Sequence, residues 1–224
     1  MNADLAPLWL SLRLALVTTL ALLVLGTPLA WWLAMTKSRV KPFLEAVTAL
    51  PLVLPPTVLG FYLLIVLSPN SAVGGLFLSV TGQSLTFSFT GLVVASVVYS
   101  LPFMVQPLQS AFEGVGRGPL EAAATLGASP IDRFFSVASP LALRGYITGF
   151  VLSFTHTLGE FGVILMVGGN IPGRTKVISI AIYENVETLD YAQAHWLSAV
   201  LLGFSFAVLL LVFTVNRRIP VKVI

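Results

Sequence analysis

The sequence predicts an all-α membrane protein with about five transmembrane helices, and three observations carry that prediction. Only 9% of the 224 residues are charged and 57% are hydrophobic, whereas soluble domains carry about 25% charged residues. The apolar residues fall in runs long enough to cross a bilayer, which takes roughly 20 of them. The few basic residues gather between particular runs instead of spreading evenly. A single transmembrane domain over residues 1–224 is expected.

The first run covers residues 7–35 and is interrupted only by Arg13, whose long side chain can snorkel to the outer edge of the membrane. Met1-Asn2-Ala3-Asp4 lacks the basic start of a signal peptide, and no small-residue cleavage site follows. The run therefore reads as a retained span. Lys37, Arg39 and Lys41 come next and are expected in the cytoplasm. No charged residue occurs between Ala46 and Phe112. That stretch holds two spans, about 44–67 and 90–112, with a loop marked by Pro69-Asn70 and Gly74-Gly75.

A polar-tolerant segment at about 113–140 follows, then a fourth span at about 141–167. A polar excursion over 168–194 precedes a fifth span at about 196–215, closed by Arg217, Arg218 and Lys222. Five spans place the N-terminus outside and the C-terminus in the cytoplasm. Most basic residues then lie inside, including Arg117, Arg133 and Arg144, while Arg13, Arg174 and Lys176 fall outside. The positive-inside rule agrees with this orientation.

Composition also excludes functions. Cysteine is absent, which rules out disulfides and Cys-based metal sites. A net charge of +3 is too small to point to nucleic acid. No phosphate-binding loop is present, because Gly114-Val115-Gly116-Arg117-Gly118 lacks the required Lys and hydroxyl. His156 and His195 have no carboxylates at a metal-binding spacing. No catalytic constellation, metal site or cofactor site is expected on this chain.

The segment at 113–140 reads as helix, turn, helix. Pro119 suits a first helical turn, where its missing N–H costs nothing. Glu121-Ala122-Ala123-Ala124 then offers a small, flat surface with a carboxylate near the positive end of the helix. Gly127 fits a left-handed stop. Ser129-Pro130-Ile131-Asp132 reads as a second N-cap followed by Pro and an acid. An Ala-faced helix has little to bury alone, so it is expected to dock into a groove on another protein; otherwise it is an ordinary connecting loop.

Two further groups stand out. Pro51, Pro55 and Pro56 sit within one predicted span and free carbonyls that need other partners; broken helices of this kind line transport paths, or else form a kink packed on neighbours. In the fourth span His156 and Glu160 lie four apart and so share a helix face. A mid-membrane carboxylate costs at least about 2.5–3.5 kcal/mol, so Glu160 must face protein or water. It serves as a gate, a proton site or a cation ligand, or else as a structural partner for His156 or for backbone donors on a neighbouring helix. Gly145-xxx-Gly149 and the Gly159 to Gly162 stretch admit a close neighbour, either at a dimer seam or within the chain. In the outer loop, Asn170, Pro172, Gly173 and Arg174 precede a short amphipathic segment at 177–186. This loop either receives a substrate-delivery protein or is a plain re-entrant loop.

Glu121-Ala122-Ala123, Gly127 and Pro140 resemble the "EAA" signature of ABC-importer permeases. Ser139 and Arg144 depart from it, standing where a Leu and often a second Pro are found. Both come after the coupling turn and leave the docking assignment intact. The Pro51/Pro55-Pro56 run, Leu158-Gly159-Glu160-Phe161-Gly162 and Gly169-Asn170-Ile171-Pro172-Gly173-Arg174-Thr175 are similar to the molybdate/tungstate branch, with sulfate permeases as close cousins. The resemblance covers nearly the whole chain. It implies a type I ABC-importer permease architecture in the cytoplasmic membrane, with two copies pairing around a path. Two ATP-binding subunits, which hold ATP and Mg, would meet Glu121, Ala122, Ala123, Gly127, Ala128 and Pro130. A periplasmic or lipid-anchored oxyanion-binding protein would deliver the anion.

An ATP requirement suits such a substrate. Moving two negative charges inward against 100 mV costs roughly 4–5 kcal/mol. A stand-alone channel or ion-coupled carrier, with His156 and Glu160 as a relay, is the rival from another class. It has no use for an Ala-faced cytoplasmic helix, and the chain lacks paired inverted halves. A membrane enzyme is a further rival without a constellation to support it. Sulfate or tungstate remain alternatives to molybdate as the transported anion.

Overall fold

The computed structural model describes residues 5–218. Residues 1–4 and Lys222 lie outside the described residues, as do the side chains of Arg217 and Arg218. All regular structure among the described residues is helical. Helices α1 (Ala6–Met35), α5 (Phe89–Val115) and α12 (Tyr191–Arg218) are long and apolar enough to cross a membrane. Two bent helix pairs raise the number of candidate spans to five.

Helices α1, α5 and α9 (Leu143–Leu158) pack together at the centre. Leu22, Leu33, Met104, Leu108 and Phe112 are fully buried there, with the Trp31 ring edge-on to Phe112. Two glycines bring α9 this close to α5. A Cβ on Gly145 would stand 2.4 Å from that of Ala111, and one on Gly149 would stand 3.0 Å from Met104 Sδ. The Gly145/Gly149 pair thus serves an intrachain contact.

The predicted span at 44–67 is two helices, α2 (Lys41–Val53) and α3 (Pro56–Leu67), meeting at 114°. The cause is local. A residue before proline is driven out of the α region, and here two such residues are consecutive. Leu54 has ψ 135° and Pro55 has ψ 137°. Pro51 stands alone and remains buried inside α2.

The predicted loop at Pro69-Asn70 and Gly74-Gly75 instead contains α4 (Ala72–Thr81), whose first turn is capped by Ser71 Oγ accepting from Gly74 N–H. The fourth predicted span, at 141–167, is also broken. Helix α9 stops at Leu158, and α10 (Gly162–Gly168) begins after three irregular residues. Helix α10 packs on α3 and α5. Helix α11 (Ile178–Glu187) takes the place of the predicted amphipathic segment. Ser11 on α1 accepts its first N–H, from Ile178, at 2.8 Å.

Between α5 and α9 the chain forms α6 (Gly118–Thr125), α7 (Pro130–Arg133), a π-helical turn at Phe134–Ala138 and the short α8 (Ser139–Leu141). Helix α5 has 27 residues, so at ~1.5 Å per residue its two ends lie ~40 Å apart. One end leads into α6, and the other meets the turns after α4 and α10.

Candidate coupling surface and translocation site

The segment at 113–140 folds as its local chemistry dictates. Pro119 lies in the first turn of α6 beside Glu121, and Gly127 takes φ +86° just after the helix. Ser129 and Asp132 form a reciprocal capping box at the start of α7, with Pro130 in its first turn. Leu120 is buried and pins α6 to the body. Glu121, Ala122, Gly127 and Pro130 are exposed, and Ala123 and Ala128 are half-buried.

Sequence reasoning assigned docking to the alanine face and missed a larger feature. Leu126 is 88% exposed, Ile131 70% and Phe135 67%. Leu126 follows α6 and Ile131 lies in α7, two bulky apolar side chains on the stretch that carries the alanines, while Phe135 lines a cavity with Pro28 and Trp31 of α1; exposed apolar groups of this kind suit a protein partner. The signal available in the sequence was three apolar residues interleaved with the polar turn.

A polar clasp fixes this end. Lys41 Nζ lies 3.1 Å from Glu113 Oε1, Gln109 donates to both Glu45 (2.6 Å) and Glu113 (3.1 Å), and Arg117 donates to the Met35 carbonyl. The ends of α1, α2 and α5 are thereby tied to the segment that carries α6.

The second candidate site is the break between α9 and α10. Glu160 lies in it and is 5% exposed. Ser96 on α5 donates to Glu160 Oε2 at 3.0 Å, and Ser179 on α11 donates to the Glu160 carbonyl at 2.5 Å. Oε1 has no protein partner among the described residues. His156 pairs with Ser100 through Nδ1 at 2.9 Å and stacks on Phe103. Ser100 also bonds Thr157.

The expected pairing of His156 with Glu160 is therefore not made. The four-residue spacing works only within a helix, and α9 ends at Leu158, before Glu160. The Glu160 carboxylate instead accepts from a side chain, the Ser96 hydroxyl of α5, where His156 or a backbone donor was expected. A cavity of about 610 Å³ is lined by Pro56, Tyr99, His156 and Glu160, among others. The structure brings Pro56, His156 and Glu160 to one place. Pro55 only caps α3, and Pro51 stays within α2. Gly162 permits the approach, since a Cβ there would stand 2.8 Å from that of Pro56.

The third group lies at the opposite end of α5 from the coupling segment. Gly169 and Gly173 adopt positive φ, and the Ile171 carbonyl accepts from Arg174, Thr175 and Lys176 N–H groups. Asn170, Pro172, Gly173 and Arg174 are all exposed on this turn. Lys176 pairs with Glu184 on α11 and, through that hydrogen bond, holds its carboxyl below the usual carboxylate range. At the same end, Arg13 lies over the Phe89 ring at 4.7 Å.

Residues 26–220 match the family model described as "Binding-protein-dependent transport system inner membrane component". The molybdenum transport system permease protein ModB of Azotobacter vinelandii is 56% identical, over 96% of this chain and 95% of its own. Its namesake in Escherichia coli K12 is 39% identical over 80% of this chain and 78% of its own. A probable sulfate transport system permease, cysT of Prototheca wickerhamii, is 33% identical over 92% and 79%. Among solved structures, the MetNI methionine ABC transporter, in inward-facing conformations, shares the fold with TM-score 0.76 at 16% identity. That match covers 96% of this chain and 95% of the other. The chain belongs to the binding-protein-dependent transport-system inner-membrane components, and its fold is that of the ABC-importer permeases.

Proposed function

We propose that this chain is the membrane permease of a binding-protein-dependent ABC importer that carries molybdate into the cell. The observation that carries this reading is the near-full-length likeness to molybdenum permeases, at 56% identity. The geometry is compatible. An exposed apolar coupling surface at one end of α5 and an exposed loop at the other suit an ATP-binding subunit and a binding protein on opposite sides.

In this reading two copies pair around the path and two ATP-binding subunits, which hold ATP and Mg, dock on the two coupling segments. Glu121, Ala122, Ala123, Gly127, Ala128 and Pro130 lie in that contact, joined by Leu126, Ile131 and Phe135. The turn of Asn170, Pro172, Gly173 and Arg174 is the surface offered to the binding protein. Pro56 and His156 flank the path as its gate, and Glu160 supports that gate structurally by tying the break to α5 and α11. The N-terminus is outside and the C-terminus cytoplasmic, in one transmembrane domain.

The test is complementation of a strain lacking its own molybdate permease, with cellular molybdenum measured by mass spectrometry. Expression of this chain with its ATPase and binding protein should restore uptake from limiting molybdate. Uptake of sulfate in preference to molybdate would move the assignment to the sulfate branch. No oxyanion uptake at all would overturn it.

A further inference from the structure

We propose that a polar pocket at the mouth of the protein, at the N-terminal end of α5, is a reception site for a small tetrahedral oxyanion. This rests on the reading above that the chain serves an oxyanion importer. The pocket has a volume of about 440 Å³, and its polar lining comes from Gln83, Ser84, Thr86, Ser88 and Arg174, with Phe87 as a wall. With ~30 Å³ per water, it has room for an anion that keeps part of its hydration shell.

The lining is made of donors and one cation. Arg174 has no ion pair among the described residues, and Glu184 is engaged by Lys176. No carboxylate lines the pocket. Ser84 and Thr86 hydroxyls lie 2.9 Å apart. Whichever of them donates, the other keeps its proton for a ligand. Ser88 caps α5 by accepting from Gly91 N–H, so the positive end of a 27-residue helix meets the same space. The lining thus supplies a guanidinium, an amide and a hydroxyl pair beside a helix N-terminus, the donor types that an oxyanion takes.

The pocket is also built in advance. Phe87 holds φ +58°, a conformation that non-glycine residues seldom adopt. Its N–H donates to the Val167 carbonyl at 3.0 Å, which ties the 83–88 loop to α10 and the turn that carries Arg174. An adjoining cavity shares Thr86 and Phe87 and adds Ser68, Asn70 and Ser71. Polar groups thus continue along the mouth, which fits a small mobile ion better than a single carboxylate side chain of a docked protein. The pocket would keep a newly released anion from diffusing away and raise its concentration at the entrance.

The experiment uses the complete transporter in lipid nanodiscs, without the binding protein, and equilibrium dialysis against radiolabelled molybdate at millimolar concentration. Chloride at equal ionic strength gives the baseline. Wild type should hold molybdate above that baseline. Arg174→Gln should weaken retention about tenfold, as expected for loss of a charge-assisted hydrogen bond. Arg174→Lys should retain part of it, and Arg39→Gln, at the other end, should match wild type. Thr86→Val removes a pocket hydroxyl away from the docking turn; it should also lower anion retention, while docking of the anion-free binding protein, followed by surface plasmon resonance, should survive it. Thr86→Val and Arg174→Gln that both retain molybdate as wild type does would overturn the proposal. Wild type at the chloride baseline would also overturn it; if oxyanion uptake is normal, the importer reading still stands, and if uptake is absent both fall.

Discussion

The Ser96 hydroxyl donates to Glu160 Oε2 at 3.0 Å and joins α5 to the break between α9 and α10. Glu160 is thus held from two sides, since its carbonyl accepts from Ser179 on α11. A charged carboxylate facing a dianion in a poorly solvated path would repel it by several kcal/mol. A structural role avoids that conflict. Glu160→Gln keeps an acceptor for Ser96 and should retain most uptake. Glu160→Ala leaves Ser96 buried without its partner, at about 1–3 kcal/mol, and should lower the melting temperature or the yield of folded protein. Uptake normalised to membrane protein separates the two variants. A well-folded Glu160→Gln with no transport would show that the charge is required and revive the relay reading.

The coupling surface makes a different prediction. Leu126 and Ile131 contribute exposed apolar area that only a partner can bury. Leu126→Asp or Ile131→Asp should leave the chain inserted and stable but reduce co-purification of the ATP-binding subunit. Ala123→Arg and Gly127→Glu should do the same, the latter with added backbone strain because Gly127 has φ +86°. Wild-type recovery of the ATPase with all four variants would disprove docking at this segment.

What the sequence made legible follows from the range of the forces involved. The Ser129–Asp132 capping box and the left-handed Gly127 depend on neighbours a few residues away, so their residue types revealed them. The break at Pro55-Pro56 was likewise readable, because consecutive residues before proline force it locally, whereas residue types alone do not give the size of its 114° bend. The His156–Glu160 pairing failed because periodicity assumed a helix that Gly159 ends. Helix α4 was hidden because Gly74-Gly75 reads as a turn. In the structure a Cβ on Gly74 would stand 2.1 Å from the Ser68 carbonyl, so that glycine serves close approach. Exposure of Leu126, Ile131 and Phe135 was illegible for another reason: apolar residues are assigned to interiors unless a partner surface is known.

The α5–α9 contact should be intolerant of added volume. In open helix, Gly→Ala gains up to about 1 kcal/mol from propensity. At Gly145 that gain is opposed by overpacking against Ala111, typically about 1–3 kcal/mol. Gly203 on α12 has no atom within 4 Å of a built Cβ and serves as the control. Gly145→Ala should therefore melt below wild type and Gly203→Ala at or above it. Equal melting temperatures for the two variants would mean that α9 can shift away from α5 at no cost.

Topology gives the last prediction. The chain has no cysteine, so single introduced thiols report their own accessibility. Lys37 follows α1 at the coupling end, whereas Pro172 lies on the turn after α10 at the other end of α5, and both are exposed. Basic residues concentrate at the coupling end, which the positive-inside rule assigns to the cytoplasm. In intact spheroplasts, a membrane-impermeant maleimide should label Pro172→Cys at once and Lys37→Cys only after permeabilisation. Arg39→Cys should behave like Lys37→Cys, since it belongs to the same basic cluster. The reverse pattern would place the coupling surface outside the cell, out of reach of any ATPase, and the importer reading would fail with it.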